Sequence, residues 1–184
     1  MTTAPDPSLL LLPIQPWDHI RGSEDAPFTL VEYGDYECAA CGKLYVLLRD
    51  LQSELASKLR IAYRHYPYSG IHKHAQQAAE AAEAAGAQRK FWEMHTLLFE
   101  HQDALREKDL IRYAGQLRLD VERFRRELKG ETYADRVRGN FRAGVQNGVF
   151  STPGLFLNGV RQTGQWDEVR LREVLSSTPD GVKS

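Results

Sequence analysis

Cysteine is scarce in this chain of 184 residues: there are two, Cys38 and Cys41. Two thiols cannot build the disulfide framework that staples small secreted domains. Nor can they supply the four ligands of a structural zinc or iron–sulfur site within one chain. Long apolar runs are missing as well. No window approaches the roughly 18 apolar residues of a membrane span, so none is expected. In "MTTAPDPSLLLLPIQPW" the leucines Leu9 to Leu12 are cut off by Pro13 and follow no basic stretch. They are too short for a signal h-region, and a cytoplasmic location is expected. Net charge is almost absent, with 24 Lys plus Arg against 25 Asp plus Glu. No global field therefore draws in nucleic acid or an anionic membrane. The Arg-rich stretch from Arg118 to Arg142 is interleaved with Glu and Asp and reads as solvated helix faces. There is no P-loop, no GxGxxG and no GxSxG, so neither a nucleotide nor NAD or flavin is expected.

What is present suffices for one domain with a sizeable core: 42% of the residues are hydrophobic. Residues 1–17 read as an arm packed loosely on that domain. "PFTLVEYGD" (Pro27–Asp35) is a buried strand, bounded by Pro and Gly and rich in β-formers. Leu44, Leu47, Leu48, Leu51 and Leu55 then recur at helical spacing. "LRIAYRHYPY" (Leu59–Tyr68) is a second strand, so residues 18–70 form a right-handed βαβ unit with a parallel strand pair. Residues 71–148 are helical, with about five helices. Gly86 breaks the first from the second, the third starts near Asp109, and Asp120 caps the next, which ends at Gly130. Residues 149–178 return to β: a Pro-led strand, an Asn158-Gly159 turn of type I′, a short strand and a last helix from Asp167. Residues 179–184 form a tail. The fold class is α/β.

The two cysteines form CxxC where the first strand meets its helix. A disulfide between them closes almost no loop, so the pair serves chemistry rather than stability. In a reducing compartment, CxxC means redox or metal chemistry. Cys38 falls at the helix N-terminus, where free N–H groups and the dipole favour a thiolate. Cys41 lies one turn deeper. Cys38 is thus expected to attack a disulfide and Cys41 to resolve the mixed disulfide. Glu32, central in an apolar strand, shares a face with Phe28 and Leu30. Its burial raises its pKa, and from beneath the cysteines it could take the Cys41 proton; an edge-strand glutamate is the plain alternative. Thr152-Pro153 begins the returning strand, and on spacing alone its isomer stays open.

"EYGDYECAACGKL", "HAQQAAEAAEAAGAQRKFWEMHTLLFEHQ" and "GVFSTPGLFLNGVRQTG" together resemble the DsbA-like thioredoxin-fold thiol–disulfide oxidoreductases, in the branch that includes FrnE-like proteins. The resemblance covers about Asp18 to Leu175. It implies a thioredoxin fold with a helical domain inserted between its βαβ and ββα halves. The long interval from Cys41 to Pro153 agrees with this. It makes Cys38 the nucleophile, Cys41 the resolving thiol and Pro153 a cis-proline against the disulfide. Thr152 offers its backbone to a substrate strand, and Glu32 matches the buried acid of the superfamily. Beside Cys38, Ala39, Ala40 and Tyr36 are the expected substrate contacts, and Tyr33 and Tyr66 either line a groove or pack in the core. No cofactor beyond the redox-active disulfide is implied. The expected partners are cysteine-containing proteins or small thiols, with a thioredoxin or glutathione system exchanging electrons with a monomer.

Relatives usually read CPxC, and the strongly oxidising ones carry His between the cysteines. Here Ala39 and Ala40 stand in those places, and Asp35 and Glu37 set negative charge near Cys38. A less oxidising disulfide is therefore expected. Three alternatives use the same residues: a redox sensor, a dimer pooling two CxxC pairs around a metal, and a glutathione-dependent isomerase or kappa-type transferase. Relatives of the last kind typically use serine. His72 and His74 are expected to cap or pack at a helix start rather than bind metal, and Trp92, Met94, His95 and Phe99 to form helical core.

Overall fold

The computed structural model describes residues 8–55, 57–163 and 168–176. The first seven residues of the arm, the expected helix start at Asp167 and the tail 179–184 lie outside them. The elements run β1 (His19–Arg21), β2 (Phe28–Gly34), α1 (Ala39–Glu54) and β3 (Leu59–His65). Five helices follow: α2 (Ala75–Gly86), α3 (Phe91–Glu100), α4 (Glu107–Gln116), α5 (Val121–Lys129) and α6 (Ala134–Gln146). The chain then returns through β4 (Gly154–Leu157), β5 (Val160–Gln162) and α7 (Glu168–Ser176). This is the α/β architecture of a thioredoxin fold, βαβ and ββα, with helices between the halves.

The sheet order is β1-β3-β2-β4-β5. Only β2 and β3 run parallel; β1, β4 and β5 pair antiparallel with their neighbours. Central β2 alternates Phe28 and Leu30 on one face with Val31 and Tyr33 in the cluster on the other. The first face meets Leu44, Leu48 and Leu51 of α1 and Leu171 and Leu175 of α7. The second packs on Ala62, Tyr66, Val149 and Phe156. A third cluster joins the inserted helices to the reactive turn, because Tyr36, Cys38, Cys41, Tyr45 and Tyr63 pack with Met94, Leu98 and Phe99. The alanines of α2 make this possible, since their small side chains let the neighbouring helices close in.

Local chemistry places most boundaries. The Asp120 side chain accepts from Arg123 N–H, 2.9 Å away, and Gly130 follows α5. Asn158 and Gly159 both take positive φ, 48° and 80°, as a type I′ turn requires. The third helix starts at Glu107, ahead of Asp109, with both carboxylates in its first turn, where the dipole favours them. Strand β1 is three residues long, too short to show a period.

The expectation of a loosely packed arm fails for residues 8–17. Leu10 N–H donates to Gly159 O at 2.7 Å, and Ser8 O accepts from Arg161 N–H at 2.6 Å. The stronger tie is Arg64, buried in β3. Its guanidinium donates to Leu12 O, Pro13 O and the Tyr33 hydroxyl, and in two bonds to Asp18. A buried cation needs such partners, and the arm supplies two of them, the carbonyls of Leu12 and Pro13, with Asp18 following directly after it.

Candidate active site

Strand β2 delivers the chain into a tight turn. Cys38 N–H donates to Asp35 O at 3.2 Å, and α1 begins at Ala39 with Cys38 as its N-cap. The Asp35 carboxylate is buried and accepts from Glu37 N–H, Tyr68 N–H and His72 Nδ1, each at 2.8 Å. Glu37 in turn accepts from His74 N–H at 2.7 Å. The two carboxylates that the sequence sets against a thiolate are therefore engaged by the β3–α2 loop. Burial works against the charge on His72, but its bond to Asp35 and the carboxylate's charge raise its pKa. His72 ties to Asp35, and His74 stands at the N-cap of α2 without a side-chain cap bond, so neither imidazole caps that helix. A second clasp comes from the turn after α3. Gln102 Nε2 donates to Tyr36 O at 2.8 Å and to Cys38 O at 2.9 Å, and its side chain fills the space left by Gly42.

Cys38 is 8% exposed and Cys41 is wholly buried. Both are free thiols. Cys38 Sγ lies 3.5 Å from Thr152 O, and the Thr152–Pro153 peptide bond is cis. The fold thus joins two segments far apart in sequence at one sulfur. The Cys38 pKa falls from 9.0 to about 5. The Cys41 thiol, donating to Cys38, is the largest cause; burial opposes it, while Thr152 and the N–H groups of Cys41 and Ala40 assist. Burial drives the Cys41 thiol far upward, and its bond to Cys38 and the nearby Glu32 carboxylate add to this. One thiol is a ready thiolate and the other a reluctant acid.

Glu32 sits behind them, 3% exposed, opposite Tyr63 on one side and Leu155 on the other. Burial, with a contribution from the Cys38 charge, raises its carboxyl to about 8. That burial excludes the edge-strand alternative.

Ala39 and Ala40 are exposed beside Cys38. Tyr36 requires a correction. It is 1% exposed, its hydroxyl meets His95 Nδ1 at 3.1 Å, and its ring packs on Tyr63 and Phe99. Its side chain fills the core between turn and helices and cannot touch a substrate. Tyr33 and Tyr66 are likewise buried core. The exposed apolar groups near the turn are others. Phe150, two residues before Thr152, is 80% exposed, and Tyr68 and Ile71 project from the loop that holds Asp35. Beside that loop runs a groove of about 470 Å³ between Tyr68, Gly70, Phe141, Arg138 and Arg142. Sequence reasoning missed Gln102 and the pairing of His72 with Asp35, and no local pattern marks either.

Among the described residues no helix is long and apolar enough to cross a membrane. The family model described as Thioredoxin matches residues 15–176. A chain named Na(+)/H(+) antiporter NhaA 3 from Salinispora tropica is 45% identical over 159 residues, 86% of this chain and 24% of that one. A chain named Na(+)/H(+) antiporter NhaA 1 from Salinispora arenicola is 42% identical over 175 residues, 95% of this chain and 27% of that one. The chain thus spans about a quarter of the length of these curated relatives. Among solved structures, oxidised BdbD from Bacillus subtilis superposes with a TM-score of 0.76 at 24% identity, over 85% of this chain and 89% of that one. The alpha-DsbA1 of Wolbachia pipientis gives 0.77 at 19% identity, over 92% and 94%. A thioredoxin-like oxidoreductase from Silicibacter pomeroyi gives 0.77 at 22% identity, over 88% and 91%.

Proposed function

The chain belongs to the thioredoxin family and shares its fold with BdbD and alpha-DsbA1, and from that premise we propose that it exchanges disulfides through Cys38 and Cys41. The observation that carries the reading is the state of Cys38: a thiol brought to about 5 at a helix N-terminus, against Thr152 O and one turn from a second thiol. The Cys38 thiolate attacks a substrate disulfide and forms a mixed disulfide. Cys41 then attacks Cys38 Sγ, releases the substrate thiol and closes the Cys38–Cys41 bond. Glu32 takes the Cys41 proton, which that thiol does not give up to water at neutral pH. Reversing these steps oxidises a dithiol substrate. Direction follows from the potential of the pair against its compartment and its electron partner, a thioredoxin or glutathione system.

The substrates are cysteine-containing proteins or small disulfides, met at the surface formed by Cys38, Ala39, Ala40, Thr152 and Pro153. A pair of alanines between the cysteines adds no side-chain donor to the thiolate, which supports a pair less oxidising than that of the strongly oxidising DsbA relatives. The proposal concerns this module and not the ion transport named in its longer relatives.

Insulin reduction with Cys38→Ser as control tests the assignment. The variant is expected to lose activity, and Cys41→Ser to accumulate a mixed disulfide visible as added mass. Equal activity of Cys38→Ser and the unaltered protein refutes Cys38 as the nucleophile.

A further inference from the structure

Ala39 and Ala40 carry no group that tells one substrate from another, so selection falls to the surface around the reactive turn. Helix α6 sets Arg138 and Arg142 one turn apart on one face, with Phe141 beside them. The Phe141 ring stacks on Tyr66, with centroids 4.4 Å apart. Opposite stands the loop after β3, with Tyr68 and Gly70, and between loop and helix lies the groove of about 470 Å³. A space of that size takes a few residues of a peptide.

Both walls are tied to the segments that meet at Cys38. Tyr68 N–H donates to the Asp35 carboxylate of the reactive turn at 2.8 Å. The Tyr66 hydroxyl donates to Val149 O at 2.7 Å, on the segment that leads to Thr152. Tyr68 and Ile71 on the loop and Phe150 on that segment are exposed, so each segment presents apolar surface.

The two guanidiniums have capacity to spare. Arg138 Nη2 donates to Asp135 at 2.8 Å, but that carboxylate is 91% exposed, and such a pair holds little. Glu131 and Glu80 also act on Arg138 through space. Glu80 is buried, accepts from Gln76 at 2.8 Å, and burial raises its carboxyl. Among the described residues Arg142 makes no ion pair, and its side chain donates to Arg138 O at a long 3.4 Å. An apolar floor with two cations at its rim fits a segment that brings an aromatic or aliphatic side chain together with carboxylates.

We propose that this groove receives the polypeptide segment flanking a substrate's reactive cysteine and selects segments that are apolar and acidic. The inference rests on the dithiol reading above and names the substrate class for it. The apolar side chain lies on Phe141 and Tyr68, and Asp or Glu beside it pairs with Arg138 and Arg142. The cysteine of the same segment then stands at Cys38, Thr152 and Pro153.

The test uses the full chain and peptide disulfides capped with a fluorescent thiol. The peptides carry Phe-Asp-Asp or Phe-Lys-Lys a few residues before the cysteine, or the same pair of motifs after it. The rate of fluorescent thiol release is read as the ratio of acidic to basic peptide. In at least one placement that ratio is expected to be about ten at low salt, two guanidiniums each contributing what an exposed ion pair does. It should fall towards one at about 1 M salt. Arg138→Glu combined with Arg142→Glu is expected to invert the ratio. Arg125→Glu, half exposed on α5 and outside the groove, is the control for net charge and should keep it. A ratio near one in the unaltered protein for both placements, or an acidic preference that survives the double reversal, overturns the proposal. Failure of the dithiol reading looks different. No thiol would then be released even from a small uncharged disulfide, while a labelled acidic peptide with serine in place of its cysteine would still bind, read by fluorescence anisotropy.

Discussion

Replacing Cys41 with alanine removes the largest of the influences that bring Cys38 down to about 5. The remaining donors are the Thr152 side chain and the N–H groups of the first turn of α1. A hydrogen bond to a charged acceptor is worth roughly 1.5–3 kcal/mol, which is about a 10- to 100-fold change in acidity. Cys38 in Cys41→Ala is therefore expected to titrate at about 6 to 7. Cys41→Ser keeps a donor and should fall between that value and the unaltered protein. The thiolate's ultraviolet absorbance, followed against pH in the reduced protein, reads this directly. If Cys41→Ala titrates with the unaltered protein, the helix terminus alone holds the thiolate and the reasoning fails. The same value sets two further quantities. At pH 7, a thiol at about 5 gains about 2.7 kcal/mol from ionisation, or about 60 mV towards a more oxidising pair. The folded-state pKa is depressed below the ordinary 9.0. This stabilisation of the reduced protein is thus complete above about 9, declines as pH falls, and is gone below about 5.

Glu32→Gln should slow resolution while leaving Cys38 attack intact. It should also gain melting temperature over the unaltered protein as pH rises, because a carboxyl raised from 4.5 to about 8 favours the fold below 4.5 and loses that advantage by about 8. Equal melting curves at pH 5 and pH 8.5 would count against a buried Glu32. Asp18→Ala leaves the buried Arg64 guanidinium without its carboxylate, which holds it at 2.7 and 3.0 Å, and should cost about 3–5 kcal/mol in denaturant unfolding; a loss below about 1 kcal/mol would show that this ion pair does not steady β3. Gly34→Ala sets a methyl 2.5 Å from a Tyr63 ring carbon and should destabilise by about 1–3 kcal/mol. A neutral result, measured the same way, would mean that the Tyr63 ring moves freely.

The parts that were legible from the sequence are those encoded over short range. Alternation in β2 placed Glu32 on the face of Phe28 and Leu30, the leucine spacing drew α1, and CxxC at its start fixed where a thiolate is favoured. Asn158-Gly159 specifies its turn through the two positive φ angles it must adopt. What stayed hidden depends on side chains meeting across long intervals. Asp35 looks like a charge opposing Cys38 until the chain returns with His72 and Tyr68. Tyr36 looks like a groove aromatic until α3 lays His95 and Phe99 over it. The arm looks loose because nothing near it announces Arg64. A local pattern states which face a residue takes, but not what waits on that face.

Gln102 has a consequence for how the two halves of the molecule answer to each other. The carbonyls of Tyr36 and Cys38 are held by one amide in the turn that follows α3. The carbonyl of Cys38 also receives Gly42 N–H, the first rung of α1. The reactive turn is therefore calibrated from outside, like an instrument zeroed against a distant reference post. Whatever moves the turn after α3 reaches the backbone that carries the thiolate through these two carbonyls.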